Sequence, residues 1–365
     1  MSLPACRSAI VCVSDSPGAN LAVAHDVPMP LPLRPGCVLV RNFAVGLNPC
    51  DWKMPDKFPS RGSIGGSDFA GIIVALSDHL PATHPHLAVG DRVCGAVHGF
   101  DPSDHASGSF ADYVVAVADI LMKIPDGVSW AEAAAIGGTS IAALGIAFHD
   151  FLLPSLSLRK QDTKAEPASP VLVYGGGTAT GTMAIQLLKA SGFRPLAVCS
   201  AESAQLALSY GAERAFDYTS TSCADEIRTY TEKRLAHVLD IIADSDSVKL
   251  CYQAMGRLGG RYVGLELPPE DQPRRQLVHT TWVMGQTIFG NPLQLSGGYE
   301  RPATPAHRKL GRRWFLDVQD LWHRGGITSH PVKDGGPEGL DGVVKGINLL
   351  RQRKVARQKL VYRLY

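Results

Sequence analysis

Val171-Leu172-Val173-Tyr174-Gly175-Gly176-Gly177-Thr178-Ala179-Thr180-Gly181 is the stretch on which the reading of this chain turns. Four apolar or aromatic residues predict a buried parallel strand, and the glycines permit a tight turn. Thr180, Met183, Ala184, Leu187 and Leu188 share one face at helical spacing, which predicts a helix running on to Ser191. Strand, Gly-rich turn and helix together bring backbone N–H groups and a helix N-terminus close to a bound pyrophosphate. Three glycines between two elements also make an ordinary loop, so the neighbouring sequence decides.

That sequence alternates. Apolar strands are predicted near Leu196–Cys199, Ala215–Tyr218, Val238–Ala243 and Arg261–Gly264, with helical patterns between them, the mark of a doubly wound parallel sheet. Trp282–Phe289 adds an apolar segment, and Arg308–Trp322 a helix with an Arg/Lys-rich outer face. Gly339–Tyr365 reads as a helix ending near Leu350, then a strand at Leu360–Leu364. The first 150 or so residues lack the alternation. Val- and Ile-rich runs at Ala9–Val13, Cys37–Val45, Phe69–Leu76 and Tyr113–Val117, divided by Gly, Pro and Asp turns, predict a largely β domain. Val89-Gly90-Asp91-Arg92-Val93 fits a turn leading into a strand, and Ser129 with Glu132 a capping box before an Ala-rich helix to His149. Between the halves, Leu153–Pro170, with Pro154, Arg159, Lys160, Lys164, Glu166, Pro167 and Pro170, reads as an exposed linker.

Bulk properties narrow the function. A chain of 365 residues exceeds one ordinary core, and a formal net charge of +2 carries no nucleic-acid signature. No apolar run suggests a membrane span, and Ser8–Val13 after Arg7 is too short for a secretory signal, so the expected location is cytoplasmic. The 8 cysteines (Cys6, Cys12, Cys37, Cys50, Cys94, Cys199, Cys223, Cys251) show no CxxC pair, and Cys12 and Cys199 read as small buried hydrophobes.

Asn48-Pro49-Cys50-Asp51-Trp52-Lys53, Gly66-Ser67-Asp68-Phe69-Ala70-Gly71, Val89–Val93 and Gly211-Ala212-Glu213 resemble markers of the medium-chain dehydrogenase/reductase superfamily. Gly176–Gly181, the proline-bearing insert and Trp282 through Gly285–Gly290 resemble, more narrowly, the fungal trans-acting enoyl reductases of polyketide pathways. The resemblance implies an α/β chain: a doubly wound Rossmann cofactor domain (156–326) inserted in a β-rich GroES-like catalytic domain (1–155 and 327–365).

The resemblance also implies NADPH-dependent reduction of an α,β-unsaturated thioester on the acyl carrier protein of a partner polyketide synthase, by a monomer. Lys53 is the catalytic candidate; an ordinary surface lysine is the alternative. Cofactor contacts carry over to Cys50, Asp51, Trp52, Lys53, Thr178, Ala179, Thr180, Gly181, Ser200, Ala201, Glu202, Ser203, Tyr218, Leu265, Glu266, Val355 and Ala356. Substrate contacts carry over to Thr139, Ser140, Ala142, Ala143, Gly285, Gln286, Thr287, Ile288 and Phe289. One member of the group has a threonine where this chain has Ala142.

Two readings rest on residue chemistry. Cys50 lies where zinc relatives hold a ligand, but Ser67-Asp68 stands in place of a His-Glu pair and no four-Cys lobe follows Arg92, so no metal is expected. The second Rossmann strand ends at Cys199-Ser200-Ala201-Glu202-Ser203. No carboxylate closes it for the ribose hydroxyls, and Ser200 and Ser203 can donate to a 2′-phosphate; Glu202 suits the exposed start of the next helix. Arg308, Lys309, Arg312, Arg313, Arg351, Arg353, Lys354 and Arg357 offer a docking face for an acidic carrier protein, or a solvated charge run. Two other functions fit the same residues: a quinone-oxidoreductase-like reductase of free enones, and a non-catalytic NADPH-binding accessory.

Overall fold

The computed structural model describes residues 3–18, 20–153, 156–158, 169–270 and 275–364. In chain order it forms β1 (Cys6–Cys12), β2 (Leu21–Pro28), β3 (Cys37–Gly46), α1 (Cys50–Lys57), β4 (Asp68–Leu76), α2 (Leu80–Thr83), β5 (Arg92–Ala96), β6 (Tyr113–Val117), β7 (Leu121–Lys123), α3 (Trp130–Ala135) and α4 (Gly138–Ile146). Next come β8 (Pro170–Tyr174), α5 (Ala179–Ala190), β9 (Arg194–Cys199), α6 (Ala204–Ser209), β10 (Arg214–Asp217), α7 (Cys223–Tyr230), β11 (His237–Asp240), α8 (Ser245–Ala254), β12 (Gly260–Gly264) and β13 (Val278–Trp282). The chain closes through α9 (Pro305–His323), β14 (Val332–Asp334), α10 (Gly339–Arg351) and β15 (Lys359–Arg363).

Two compact units result. One comprises Met1–Ala142, Gln286–Gln319 and Ser329–Tyr365, the other Ala143–Gly285 and Asp320–Thr328. The second unit holds a six-stranded parallel sheet ordered β10-β9-β8-β11-β12-β13, the doubly wound order with its switch beside β8. Leu172, Leu196, Val198, Val238 and Tyr262 from its strands form one core with Ile227, Val248 and Cys251 from its helices. Each such aliphatic side chain contributes roughly 1.5–3 kcal/mol by leaving water. The near-continuous apolar strands are therefore those of a sheet covered on both faces.

The first unit holds a seven-stranded sheet along β14-β15-β3-β4-β5-β7, with β6 on β3, and a separate β1-β2 pair. Strand β3 is its axis, pairing antiparallel with β4, β6 and β15. Ser129 caps α3 with its side chain and Glu132 closes the box, as the sequence predicts. The predicted single helix to His149 is interrupted, because Gly137 takes φ +79° between α3 and α4.

The boundaries differ from the expected 1–155, 156–326 and 327–365. Residues 286–319 belong with the first unit, where Trp314 donates its indole N–H to Ile141 O at 2.8 Å, Arg308 meets Asp119, and Gln319 accepts from Lys123 N at 2.7 Å. Leu153, Leu156 and Leu158 are buried, so the expected exposed linker is corrected at those positions. Pro154, Arg159, Lys160, Lys164, Glu166 and Pro167 lie outside the described residues. The predicted strand to Ala243 ends at Asp240, whose carboxylate accepts from the N–H groups of Ile242 and Ala243 and turns the chain. By length and composition Trp130–Leu152 is apolar enough to cross a membrane, contrary to the expectation from apolar runs, but 78% of its most apolar 18-residue window is buried in the structure, as core segments are.

Candidate functional site

In the second unit the Gly-rich stretch does what its sequence predicts. Gly175 takes φ +85°, and Thr178 caps α5 by accepting from Gly181 N at 3.0 Å while donating its hydroxyl to Gly175 O at 2.8 Å. The other glycines are packing requirements. A Cβ on Gly181 would stand 2.2 Å from Gly175 O, and one on Gly177 would stand 2.5 Å from Ser203 Cβ. The turn is thus bare backbone at the positive end of a 12-residue helix, a cradle that suits a pyrophosphate.

The end of β9 completes this half. Ser200 and Ser203 lie 3.0 Å apart through their hydroxyls, Ala201 and Glu202 are exposed between them, and no carboxylate ends the strand. Tyr218 is exposed after β10, its ring 6.1 Å from that of Tyr174. Leu265 donates its N–H to Asp240 O at 2.9 Å, and Glu266 follows it half-buried. Gly285 lies against Ala143: a Cβ added to it would be 3.2 Å from Ala143 Cβ, so these two predicted substrate contacts do adjoin.

In the first unit the predicted residues fall on two helix starts. Cys50, Asp51, Trp52 and Lys53 open α1, where Lys53 is exposed and Trp52 half-buried. Thr139, Ser140 and Ala142 open α4. Asp68, at the start of β4, links the two: it accepts from Thr139 N at 2.8 Å and from Asn48 Nδ2 at 2.9 Å. Thr139 Oγ1 is buried and has no hydrogen-bond partner in the protein. A hydroxyl left so costs about 1–3 kcal/mol unless something else meets it. Burial pushes the Asp51 carboxyl up to about 7, against the opposing effects of Asn48 N–H and Lys359.

Gln286, Thr287, Ile288 and Phe289 lie in a short 3-10 helix (Gly285–Phe289), with Thr287 Oγ1 2.7 Å from His307 Nδ1. Phe289 and Gln286 line a cavity of about 250 Å³ with Cys37, His98 and Arg308. Val355 and Ala356 lie between α10 and β15, half-buried and exposed. Of the basic residues, Arg308 pairs with Asp119 and Arg351 with Asp56 within the fold, while Arg312 and Arg313, half or more exposed, approach Asp119 and Asp317 only to 3.5 Å.

Sequence reasoning missed Lys359. Its ammonium is buried, donates to Asn48 Oδ1, and meets Asp68 Oδ2 at 2.8 Å. A lysine between Gln358 and Leu360 at the start of a strand carries no local signal, and only the β3–β15 pairing brings it to Asp68.

Residues 34–126 match the alcohol dehydrogenase GroES-like domain family and residues 179–297 the zinc-binding dehydrogenase family. The site does not fit the metal in that second name. Cys50 Sγ has Asp51 Oδ1 at 3.9 Å and Ser67 Oγ at 3.8 Å, burial pushes its thiol up, and Asp68 is taken by Lys359, Asn48 and Thr139. No group of three or more His, Cys, Asp or Glu among the described residues can hold a metal ion.

The chain is 42% identical over 365 residues to the trans-enoyl reductase ffsC of Aspergillus flavipes, covering 99% of this chain and 97% of that one. It is 44% identical over 349 residues to the trans-enoyl reductase ccsC of Aspergillus clavatus, covering 94% of each. Among solved structures, the CurK enoyl reductase superposes with a TM-score of 0.72 at 17% identity, covering 98% of this chain and 99% of that one, a likeness of fold. Identity of this order along the whole length places the chain in the trans-enoyl reductase family of fungi, within the medium-chain dehydrogenase/reductases.

Proposed function

We propose that the protein is a trans-acting enoyl reductase that reduces the α,β-double bond of a polyketide thioester carried on the acyl carrier protein of a partner synthase, with NADPH, as a monomer in the cytoplasm. The observation that carries this reading is the buried, unpartnered hydroxyl of Thr139, held beside Asp68 in a chain whose full-length relatives are named trans-enoyl reductases.

NADPH, when bound, supplies the hydride. Thr178–Gly181 would hold the pyrophosphate with backbone N–H groups, and Ser200 and Ser203 the 2′-phosphate. Lys53 is exposed in the first turn of α1, and its ammonium would orient the cofactor ribose or steady negative charge developing on the thioester oxygen. The Thr139 hydroxyl, at the start of α4, is a second donor for that oxygen. A thioester carbonyl delocalises the incoming charge, so two such donors supply the electrostatic help the reaction needs. Ser140, Ala142, Ala143 and Gly285–Phe289 would wall the acyl chain.

The test is NADPH oxidation by the purified protein with an enoyl thioester on pantetheine or a carrier-protein mimic, beside the same enone as a free ketone. Turnover selective for the thioester supports the reading. Turnover of the free enone alone replaces it with a general enone reductase.

A further inference from the structure

Helix α1 follows Pro49, which offers no capping side chain. Its start is set instead by Asn48 and Asp51: Asn48 N donates to Asp51 Oδ2 at 2.6 Å, while the Asn48 amide donates to Asp68 and accepts from Lys359. Four separate elements therefore meet at one buried charge pair. Asp68 begins β4, Thr139 lies at the start of α4, Lys359 begins β15, and Asn48 precedes α1. The side chains of Lys359 and Asp68 are 4% and 1% exposed. Space is kept for the lysine stem by Gly46, where a Cβ would come within 3.0 Å of Lys359 Cε and 2.6 Å of Ala134 O.

A buried ion pair is seldom the most stable way to fill a core, since apolar residues of equal volume serve as well or better. What such a pair does supply is direction. Apart from the pair itself, its hydrogen bonds run to the Asn48 side-chain amide, just before α1, and to the Thr139 backbone N–H at the start of α4.

Resting on the enoyl reductase reading, we infer that Lys359 is a positioning residue for the reduction: its ammonium, held between Asp68 and Asn48, sets the start of α1, which carries Lys53, against the start of α4, which carries Thr139. It touches neither substrate nor cofactor and acts through those two helix starts.

Lys359→Met keeps the length and apolar stem and removes the charge. It is expected to lower kcat on an enoyl thioester about 10-fold or more, with the Kd for NADPH within about 2-fold of wild type. In a Lys53→Ala background the same change is expected to cost less than about 3-fold, because the group it positions is gone. Losses that multiply in the double variant would overturn the proposal, since a merely structural lysine acts independently of Lys53. Hydrogen–deuterium exchange provides a second arm: amides of 49–57 and 138–142 are expected to exchange about 10-fold faster in Lys359→Met while those of β8–β12 stay as in wild type. Unchanged exchange at both helix starts would overturn it too. Asn48→Ala, which leaves the ion pair in place and cuts its link to α1, serves if Lys359→Met does not fold, with the same outcomes expected at 49–57. A wild-type protein inert toward every enoyl thioester would refute the function reading alone; the exchange arm still decides for Lys359.

Discussion

Arg308 donates its Nε–H to Asp119 Oδ2 at 2.6 Å across 189 residues of chain, fastening α9 to the short turn between β6 and β7 in the first unit. His84 reaches the other carboxylate oxygen at 2.7 Å, and Arg312 approaches it at 3.5 Å. Burial alone would raise the Asp119 carboxyl, but the hydrogen bonds from His84 and Arg308 outweigh it and hold it below the usual range. Asp119→Asn is expected to cost about 1–3 kcal/mol in urea unfolding, since Arg308 is left without a charged partner. Arg312→Ala, with a half-exposed side chain, should cost less than about 1 kcal/mol. Equal losses from the two would show that the pair is no stronger than a surface bridge.

Acid should weaken the first unit through a second carboxylate. Burial works to raise the Asp101 carboxyl, yet His98, at 3.0 Å, and the Ser103 hydroxyl and N–H bring it down to about 2. A carboxyl depressed in the folded state binds its proton more readily when unfolded. Its contribution is thus complete above about pH 4 and lost as pH falls toward 2, amounting to about 2 kcal/mol. Equilibrium unfolding between pH 5 and pH 2, in wild type and Asp101→Asn, reads this directly: the variant should lose less stability across that interval. Parallel curves would refute it.

The cradle at α5 tolerates no side chain at Gly181. Gly181→Ala would set a methyl 2.2 Å from a backbone oxygen, which cannot swing aside. Overpacking of this kind costs roughly 1–3 kcal/mol. Thermal unfolding should fall by several degrees, and NADPH should bind about 10-fold more weakly by fluorescence titration. Wild-type affinity in a folded variant would place the pyrophosphate elsewhere.

Discrimination between phosphorylated and unphosphorylated cofactor should rest on the two hydroxyls at the end of β9. Hydrogen bonds to a charged phosphate contribute roughly 1.5–3 kcal/mol, or about 10-fold to 100-fold. The double change Ser200→Ala and Ser203→Ala is expected to raise the KM for NADPH by that factor and to leave the KM for NADH within about 2-fold. If both cofactors suffer alike, the serines serve the turn and not the phosphate.

The Rossmann half was legible because its signals are local. The apolar run at Val171–Tyr174, the positive-φ glycine, the Thr178 cap and the spacing of Met183, Leu187 and Leu188 all lie within one supersecondary unit, where the periods of strand and helix show directly in the residues. The Ser129–Glu132 box was legible for the same reason. Ser200 and Ser203 follow from the strand that ends beside them.

What only the tertiary structure decided lies between residues far apart. Local pattern has no term for which unit claims the greater part of α9, up to Gln319, which Asp119 and Ile141 bind through Arg308 and Trp314. Nor does it show that Asp68, read first as a poor metal ligand, receives the ammonium of Lys359 from 291 residues away. A buried charge is tolerated only where a partner meets it, and that partner is chosen by the pairing of β3 with β15, a long-range register that leaves no periodic trace in either strand.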